Sequence, residues 1–217
     1  MNEKSDTGIP NEISSRREYK RKFSLREMYQ AFMHVPAALA KLIENKKKEI
    51  IKEDFIERLH LAVTEVNGCA VCSYAHAQMA LEQGMSNEEI NSFLSGDGRF
   101  INQEESKAIV FAQHYADTRG LPKKDAYQSI IDEYGEEKTD IIISGIQLIM
   151  AGNIYGIPYS AFKSRLKNEK YKDSSLTYEL WMLLAGLIIS PIALIHGGLK
   201  SIIGLSNIRL DQSSMNL

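Results

Sequence analysis

The chain is poor in cysteine and nearly balanced in charge. Two cysteines among 217 residues are too few for a disulfide scaffold. The formal net charge of −2 gives no electrostatic reason to expect a nucleic-acid partner. The N-terminal residues lack the apolar stretch of a signal peptide, so we expect a cytoplasmic protein. No segment shows the sustained period-two alternation of a strand, which predicts an all-α fold.

The pattern of polar and apolar residues predicts one helical domain with an extension at each end. Residues 1–22 form a polar, basic N-terminal arm. Residues 23–170 form the helical core, and residues 171–217 form an apolar C-terminal helical extension. Proline disfavours a helix interior, so we expect the first core helix to be interrupted at Pro36 and a turn to lie at Pro158.

Residues 57–84 contain the part of the sequence with the clearest chemistry. Apolar residues recur at helical spacing over 55–66, and Asn67-Gly68 then gives a helix stop and turn. A second helix is predicted over 69–83, with Gly84 closing it. Because the connection is so short, the two helices must run antiparallel as a hairpin.

The hairpin brings a dithiol, a histidine and a carboxylate together. Cys69 and Cys72 form a C-x-x-C pair at the start of the second helix, where free backbone N–H groups favour a thiolate. His76 lies one turn after Cys72, on the same face. Glu57, predicted to lie off the packed face of its helix, falls at nearly the level of His76. The spacing therefore predicts a relay in which Glu57 orients His76 and His76 takes the thiol proton.

Three other interpretations fit the same residues. Lone cysteines are often small buried hydrophobic residues, so the dithiol could be idle in an interaction protein. A zinc site could be formed by Cys69, Cys72 and His76, with Glu57 or His60 as a fourth ligand. Against zinc, a second Cys/His pair at ligand spacing is missing. Glu57 by itself would by default be a solvated surface charge.

The motif resembles a known family. Glu57, an eleven-residue gap, the Cys69/Cys72 pair and His76 are similar to the core of AhpD, the alkyl hydroperoxidase D branch of the carboxymuconolactone decarboxylase superfamily. The close resemblance covers about thirty residues, and a similar helical pattern extends over roughly residues 50–160. It implies an AhpD-like helical bundle with the dithiol at the start of a core helix.

The resemblance also implies roles for these residues. Cys72 would be the peroxidatic cysteine and Cys69 the resolving one, with Glu57 and His76 as the proton relay. The implied activity is that of a thiol peroxidase without a cofactor, using a hydroperoxide and a dithiol reductant protein; general disulfide oxidoreduction is the alternative. AhpD has a further relay histidine where this chain has Val71. The decarboxylase branch lacks the cysteine pair, which disfavours decarboxylation.

The C-terminal extension contains an apolar run. Residues 180–199 have no charged side chain, and twenty such residues are long enough to span a bilayer. Tyr178 and Trp181 at one end and Lys200 at the other are placed as membrane anchors would be, but Pro191 splits the run. AhpD-like proteins associate through helical faces, so we expect a homo-oligomer with this run as two helices at the interface. Membrane association is the alternative.

Overall fold

The fold is taken from a computed structural model, which describes residues 21–205 and 207–211. The predicted basic arm therefore lies outside the described residues, except for residues 21 and 22. Within the described part of the chain there are seven α-helices, one short 3-10 turn and no strand, so the all-α prediction is confirmed. The helices are α1 (Leu25–Lys48), α2 (Glu53–Asn67), α3 (Ala70–Glu82), α4 (Asn87–Ser95), α5 (Ser106–Asp117), α6 (Lys124–Leu166) and α7 (Leu176–Ile202).

Helix α1 begins at a reciprocal capping box. The Ser24 hydroxyl accepts a hydrogen bond from the Glu27 backbone N–H, and the Glu27 carboxylate accepts one from the Ser24 backbone N–H. The helix then continues through Pro36 to Lys48, so the predicted interruption is wrong. A proline removes one helical hydrogen bond, and packing of α1 against both α6 and α7 outweighs that loss.

Helix α6 is the central element of the bundle. It bends at Gly135, where the backbone leaves helical geometry at φ 74°, ψ 166°. Beyond that bend most side chains between 139 and 161 are buried, and they pack against α1, α2, α3, α5 and α7. The helix also continues through Pro158, so the predicted turn at that position is wrong. The consequence for the site is that α6 presents one continuous surface to the start of α3.

The α2–α3 hairpin forms as the sequence predicts. Helix α2 ends at Gly68, whose left-handed backbone at φ 75° suits a residue without a Cβ. Cys69 follows at once as the N-cap of α3. Side chains from Ile56 through Thr64 are buried all around α2, because α3, α4, α5 and α6 all contact it.

The apolar run 180–199 forms part of one helix, α7, rather than the two helices expected. One side of α7 lies against α1 at very close range: a Cβ at Gly197 would overlap the carbonyl oxygen of Met33. The opposite side is apolar and exposed; its large side chains are Trp181, Leu184, Leu187, Ile188, Ile192, Ile195, Leu199 and Ile202.

Two helices in the described residues are long and apolar enough to cross a membrane. One is α6, in which 83% of the relevant window is buried as the core of the bundle. The other is α7, in which only 22% is buried. Length and composition alone also fit helices of an ordinary protein core, and burial identifies α6 as such a helix.

Candidate functional site

The two cysteines lie at the N-terminus of α3, as predicted, and are joined by a disulfide. The Sγ of Cys69 caps the helix by accepting the backbone N–H of Cys72 at 3.4 Å. Cys69 is fully buried, whereas Cys72 retains 8% of its surface. The two sulfurs therefore differ: helix-terminal N–H groups act on Cys69, and the exposed surface belongs to Cys72.

Helix α6 supports the disulfide through Gly156. A Cβ at this glycine would lie 2.7 Å from the Sγ of Cys69 and 2.8 Å from the Sγ of Cys72, so only glycine leaves room for the sulfurs. One turn later, the Ser160 hydroxyl accepts the backbone N–H of Val71 at 3.2 Å and donates to the carbonyl of Gly156 at 2.8 Å. Sequence reasoning missed both residues, because Gly156 followed by Pro158 is also typical of a turn.

Glu57 and His76 meet across the hairpin. The Nδ1–H of His76 donates to the Oε2 of Glu57 at 2.8 Å. Because an ionised carboxylate only accepts hydrogen bonds, this contact places the proton on Nδ1 and leaves Nε2 free to accept a proton. Glu57 is only 6% exposed, so the prediction that it lies off the packed face is wrong. It is a buried carboxylate whose partners come from within the fold.

His60 is a second histidine at this carboxylate. It lies one turn after Glu57 on α2, with its Nδ1 3.5 Å from the Oε1 of Glu57. Its ring contacts that of His76 edge-on, with centroids 4.7 Å apart. Neither ring nitrogen of His60 has a hydrogen-bond partner, and the side chain is almost wholly buried. A buried polar group in this state costs on the order of 1–3 kcal/mol of stability.

The buried environment shifts two of these pKa values. Burial raises the pKa of Glu57, but its contacts with His60 and His76 outweigh that effect and bring it down to about 2. Burial lowers the pKa of His60, while the neighbouring Glu57 carboxylate and Gly145 backbone oppose the shift only in part. Near neutral pH the cluster therefore holds an ionised carboxylate beside a neutral His60 imidazole.

The residues that could hold a metal ion overlap with the relay. One potential ligand atom from each of Glu57, His60 and His76 lies within 4.8 Å of the others. This is the group of possible ligands that the described residues bring together, and it contains no cysteine. The predicted alternative of a zinc site on Cys69, Cys72 and His76 is not the arrangement seen here, since both sulfurs are in the disulfide.

A cleft of about 300 Å³ borders the carboxylate of Glu57. Its wall is largely apolar and includes Leu42, Ile43 and Leu148. Charged side chains of Lys46 and Glu53 also line it. Of the Glu57, His60 and His76 cluster, Glu57 is the residue that lines this cleft.

The fold and this site define a helical bundle in which a C-x-x-C disulfide begins one helix, and in which a buried carboxylate is paired with a part-buried histidine on that helix. Residues 26–98 match the carboxymuconolactone decarboxylase family, over roughly a third of the chain. The matched segment runs from the first turn of α1 past the end of α4 and includes Glu57, both cysteines and His76. It supports the predicted resemblance at the level of the superfamily. No curated protein and no solved structure matches the chain significantly.

Proposed function

We propose that the protein is an AhpD-like thiol peroxidase that reduces hydroperoxides through Cys72 and Cys69. The observation that carries the proposal is the Cys69–Cys72 disulfide at the N-terminus of α3, one turn before His76, which makes a part-buried hydrogen bond of 2.8 Å with Glu57. A dithiol that cycles between two states needs two sulfurs within bonding distance and a base for the attacking thiol. The family match at superfamily level is compatible with this activity.

The roles of the two cysteines follow from their surroundings. Cys72 is the less deeply buried of the two cysteines, at 8% exposure against 0% for Cys69, and His76 lies one turn after it on α3. With its Nδ1 proton held by Glu57, His76 can take the thiol proton of Cys72 on Nε2. Cys69 is buried and its sulfur accepts a backbone N–H, which favours a thiolate that attacks the oxidised partner. These surroundings support the roles that the resemblance implies, with Cys72 as the peroxidatic residue and Cys69 as the resolving one.

The reaction proceeds in three balanced steps. The Cys72 thiolate attacks the distal hydroperoxide oxygen; the O–O bond breaks, Cys72 becomes a sulfenic acid, and the alkoxide leaves as an alcohol after taking a proton from His76. The Cys69 thiol then loses its proton and its sulfur displaces hydroxide from the Cys72 sulfur, so that the disulfide forms and the hydroxide takes up that proton to leave as water. A dithiol reductant protein reduces the disulfide by exchange and becomes oxidised itself. The structure corresponds to the oxidised state at the end of the second step.

The experiment that tests the proposal is mass spectrometry of the reduced protein before and after one equivalent of hydroperoxide. The expected result is a loss of two mass units within the peptide carrying Cys69 and Cys72, with one equivalent of alcohol formed. Thiols that remain reduced would overturn the peroxidase proposal. If the protein instead exchanges readily with protein disulfides while ignoring hydroperoxide, the activity is general disulfide oxidoreduction.

We also propose that a second copy of the chain covers the exposed face of α7. Trp181, Leu184, Ile188, Ile195 and Ile202 recur at intervals of three, four or seven residues along it, which is the spacing of a helix–helix seam. The close approach of α1 to the other side leaves this face as the one available for assembly. Light scattering should give an oligomeric mass without detergent; a monomer that sediments with lipid vesicles would instead support membrane association.

A further inference from the structure

His60 differs from the other histidines in lacking any hydrogen-bond partner. The chain has five histidines, all among the described residues. Both ring nitrogens of His60 are buried and have no hydrogen-bond partner, and only 7% of the residue is exposed. The other four each make a hydrogen bond: His34 with Asn207, His76 with Glu57, His114 with Lys123 and His196 with Tyr29. A buried imidazole that makes no hydrogen bond calls for an explanation, and a bound ion is one.

We propose that Glu57, His60 and His76 form a binding site for a divalent transition-metal ion of the zinc type. Two imidazoles and one carboxylate are a ligand set that zinc uses in proteins, with a fourth position left open. Ligands about 2.1 Å from a tetrahedral zinc lie about 3.4 Å from one another. His76 lies 2.8 Å from one oxygen of Glu57 and His60 lies 3.5 Å from the other. One ligand atom from each of the three residues lies within 4.8 Å of the others, so binding would draw the ligands together by about an ångström.

The hairpin fixes these ligands before any metal arrives. Glu57 and His60 lie one turn apart on α2, so they face the same direction, and His76 approaches from α3. One carboxylate oxygen faces each ring. Glu57 also lines the cleft described above.

This site needs neither cysteine, which separates it from a cysteine-based zinc site. In the oxidised protein both sulfurs are in the disulfide and cannot bind zinc as thiolates. Metal binding would nevertheless engage Glu57 and His76, so the ion and the proton relay exclude each other. That consequence rests on the proposed peroxidase function, whereas the metal site itself does not.

The first experiment is a calorimetric titration of the oxidised protein with Zn²⁺ alone. We expect one equivalent to bind to the wild type. We expect binding at least about tenfold weaker in His60→Phe and in His76→Asn. Substitution of a residue that only supports a metal ligand lowers the affinity by roughly 10- to 100-fold, and loss of a ligand should cost at least as much. His114→Gln is the matched control: it removes one imidazole that accepts the backbone N–H of Lys123, and should bind Zn²⁺ as the wild type does.

Circular dichroism of each variant keeps the test independent of misfolding. Zn²⁺ should also raise the thermal midpoint of the oxidised wild type and of His114→Gln, and leave that of His60→Phe unchanged. The proposal is overturned if the oxidised wild type binds no Zn²⁺. It is equally overturned if folded His60→Phe and His76→Asn bind as tightly as the wild type, or if binding needs the reduced cysteines and disappears in Cys69→Ser.

A second experiment addresses the link to the proposed chemistry. Thiol oxidation by hydroperoxide is measured with and without Zn²⁺ for the wild type, His60→Phe and His114→Gln. Zn²⁺ should slow oxidation at least about tenfold in the wild type and in the control, and by a smaller factor in His60→Phe. Inhibition equal in all three would assign it to the thiols and overturn the link. If no variant reacts with hydroperoxide, the peroxidase proposal fails while the titration still decides the metal site.

Discussion

The α2–α3 hairpin and helix α7 bury their side chains in opposite ways. The hairpin encloses a carboxylate and two histidines within an apolar core, whereas α7 exposes a row of large apolar side chains. Buried polar groups cost free energy unless partners lie within reach, and Glu57 and His76 are partners for each other. Exposed apolar groups need a partner from outside the chain. The comparison supports the two proposals, of chemistry at the hairpin and of assembly through α7.

The largest expected effect is on the reactive sulfur. Cys72→Ser should reduce peroxidase turnover to the uncatalysed level, because serine cannot form the sulfenic acid or the disulfide. Cys69→Ser should still consume one equivalent of hydroperoxide in a single turnover but fail to form the disulfide. Turnover is followed by hydroperoxide loss, and the Cys69→Ser product by mass spectrometry. Retained turnover in Cys72→Ser would move the activity elsewhere.

The next effect concerns the relay. Glu57→Gln and His76→Asn should each lower the rate of thiol oxidation by roughly ten- to a thousandfold, the range expected for a positioned acid–base partner. The double variant should be little worse than the worse single variant, since the two residues act as one unit. Stopped-flow oxidation of the reduced proteins measures all four rates. Additive losses would mean that the residues have separate roles.

The contacts of Glu57 with His60 and His76 predict a dependence of stability on pH. Its pKa falls from 4.5 to about 2 on folding, so its ionised form contributes stability that is fully present above about pH 4.5 and lost as the pH falls toward 2. The shift corresponds to at most about 3 kcal/mol. Urea unfolding of the wild type and Glu57→Gln at pH 3 to 7 measures it. The difference between the two should shrink at low pH; a constant difference would contradict the shifted pKa.

A smaller effect is expected where α6 meets the disulfide. Gly156→Ala would bring a methyl group to within 2.8 Å of both sulfurs, which should cost about 1–3 kcal/mol and slow disulfide formation. Gly152→Ala is the control, since its Cβ would meet only Ile149, at 3.9 Å. That exposed helical substitution should leave oxidation unchanged and stabilise by up to about 1 kcal/mol. Equal behaviour of the two variants would rule out the contact with α6.

A substitution on the exposed face of α7 should have the smallest effect on stability and the largest effect on assembly. Ile188→Glu changes an exposed residue and should alter the free energy of unfolding of the chain itself by about half a kcal/mol or less. It should nevertheless lower the mass seen by light scattering, because a charge would be buried at the proposed interface. Lys200→Glu serves as a control for added negative charge next to the apolar run. An unchanged mass in Ile188→Glu would show that this face is not the interface.

The same comparison explains what the sequence could predict. The positions of Glu57, Cys72 and His76 follow from local spacing on two helices joined by a short turn, and the structure brings Glu57 and His76 together as expected. Gly156 and Ser160 lie on α6, more than eighty residues beyond the cysteines, and no local pattern connects them to the site.

The burial of individual residues was the other feature that the sequence did not predict. The apolar spacing of α2 predicts one packed face, but four neighbouring helices cover it on all sides. Glu57, predicted to lie off the packed face, is therefore a core residue. The predicted interruption at Pro36 and turn at Pro158 were wrong for the same reason, because packing in the bundle keeps α1 and α6 helical through these prolines. Local preference gave way to tertiary contacts in each case.

The central claim, that the Glu57–His76 pair activates Cys72, is tested most directly by alkylation of the reduced protein as a function of pH. Wild type should show Cys72 reacting with an apparent pKa below the value of about 8.5 for a free cysteine. In Glu57→Gln that apparent pKa should rise, because the charge that favours the imidazolium is gone. An apparent pKa at or above about 8.5 in the wild type, or one identical in both proteins, would contradict the account.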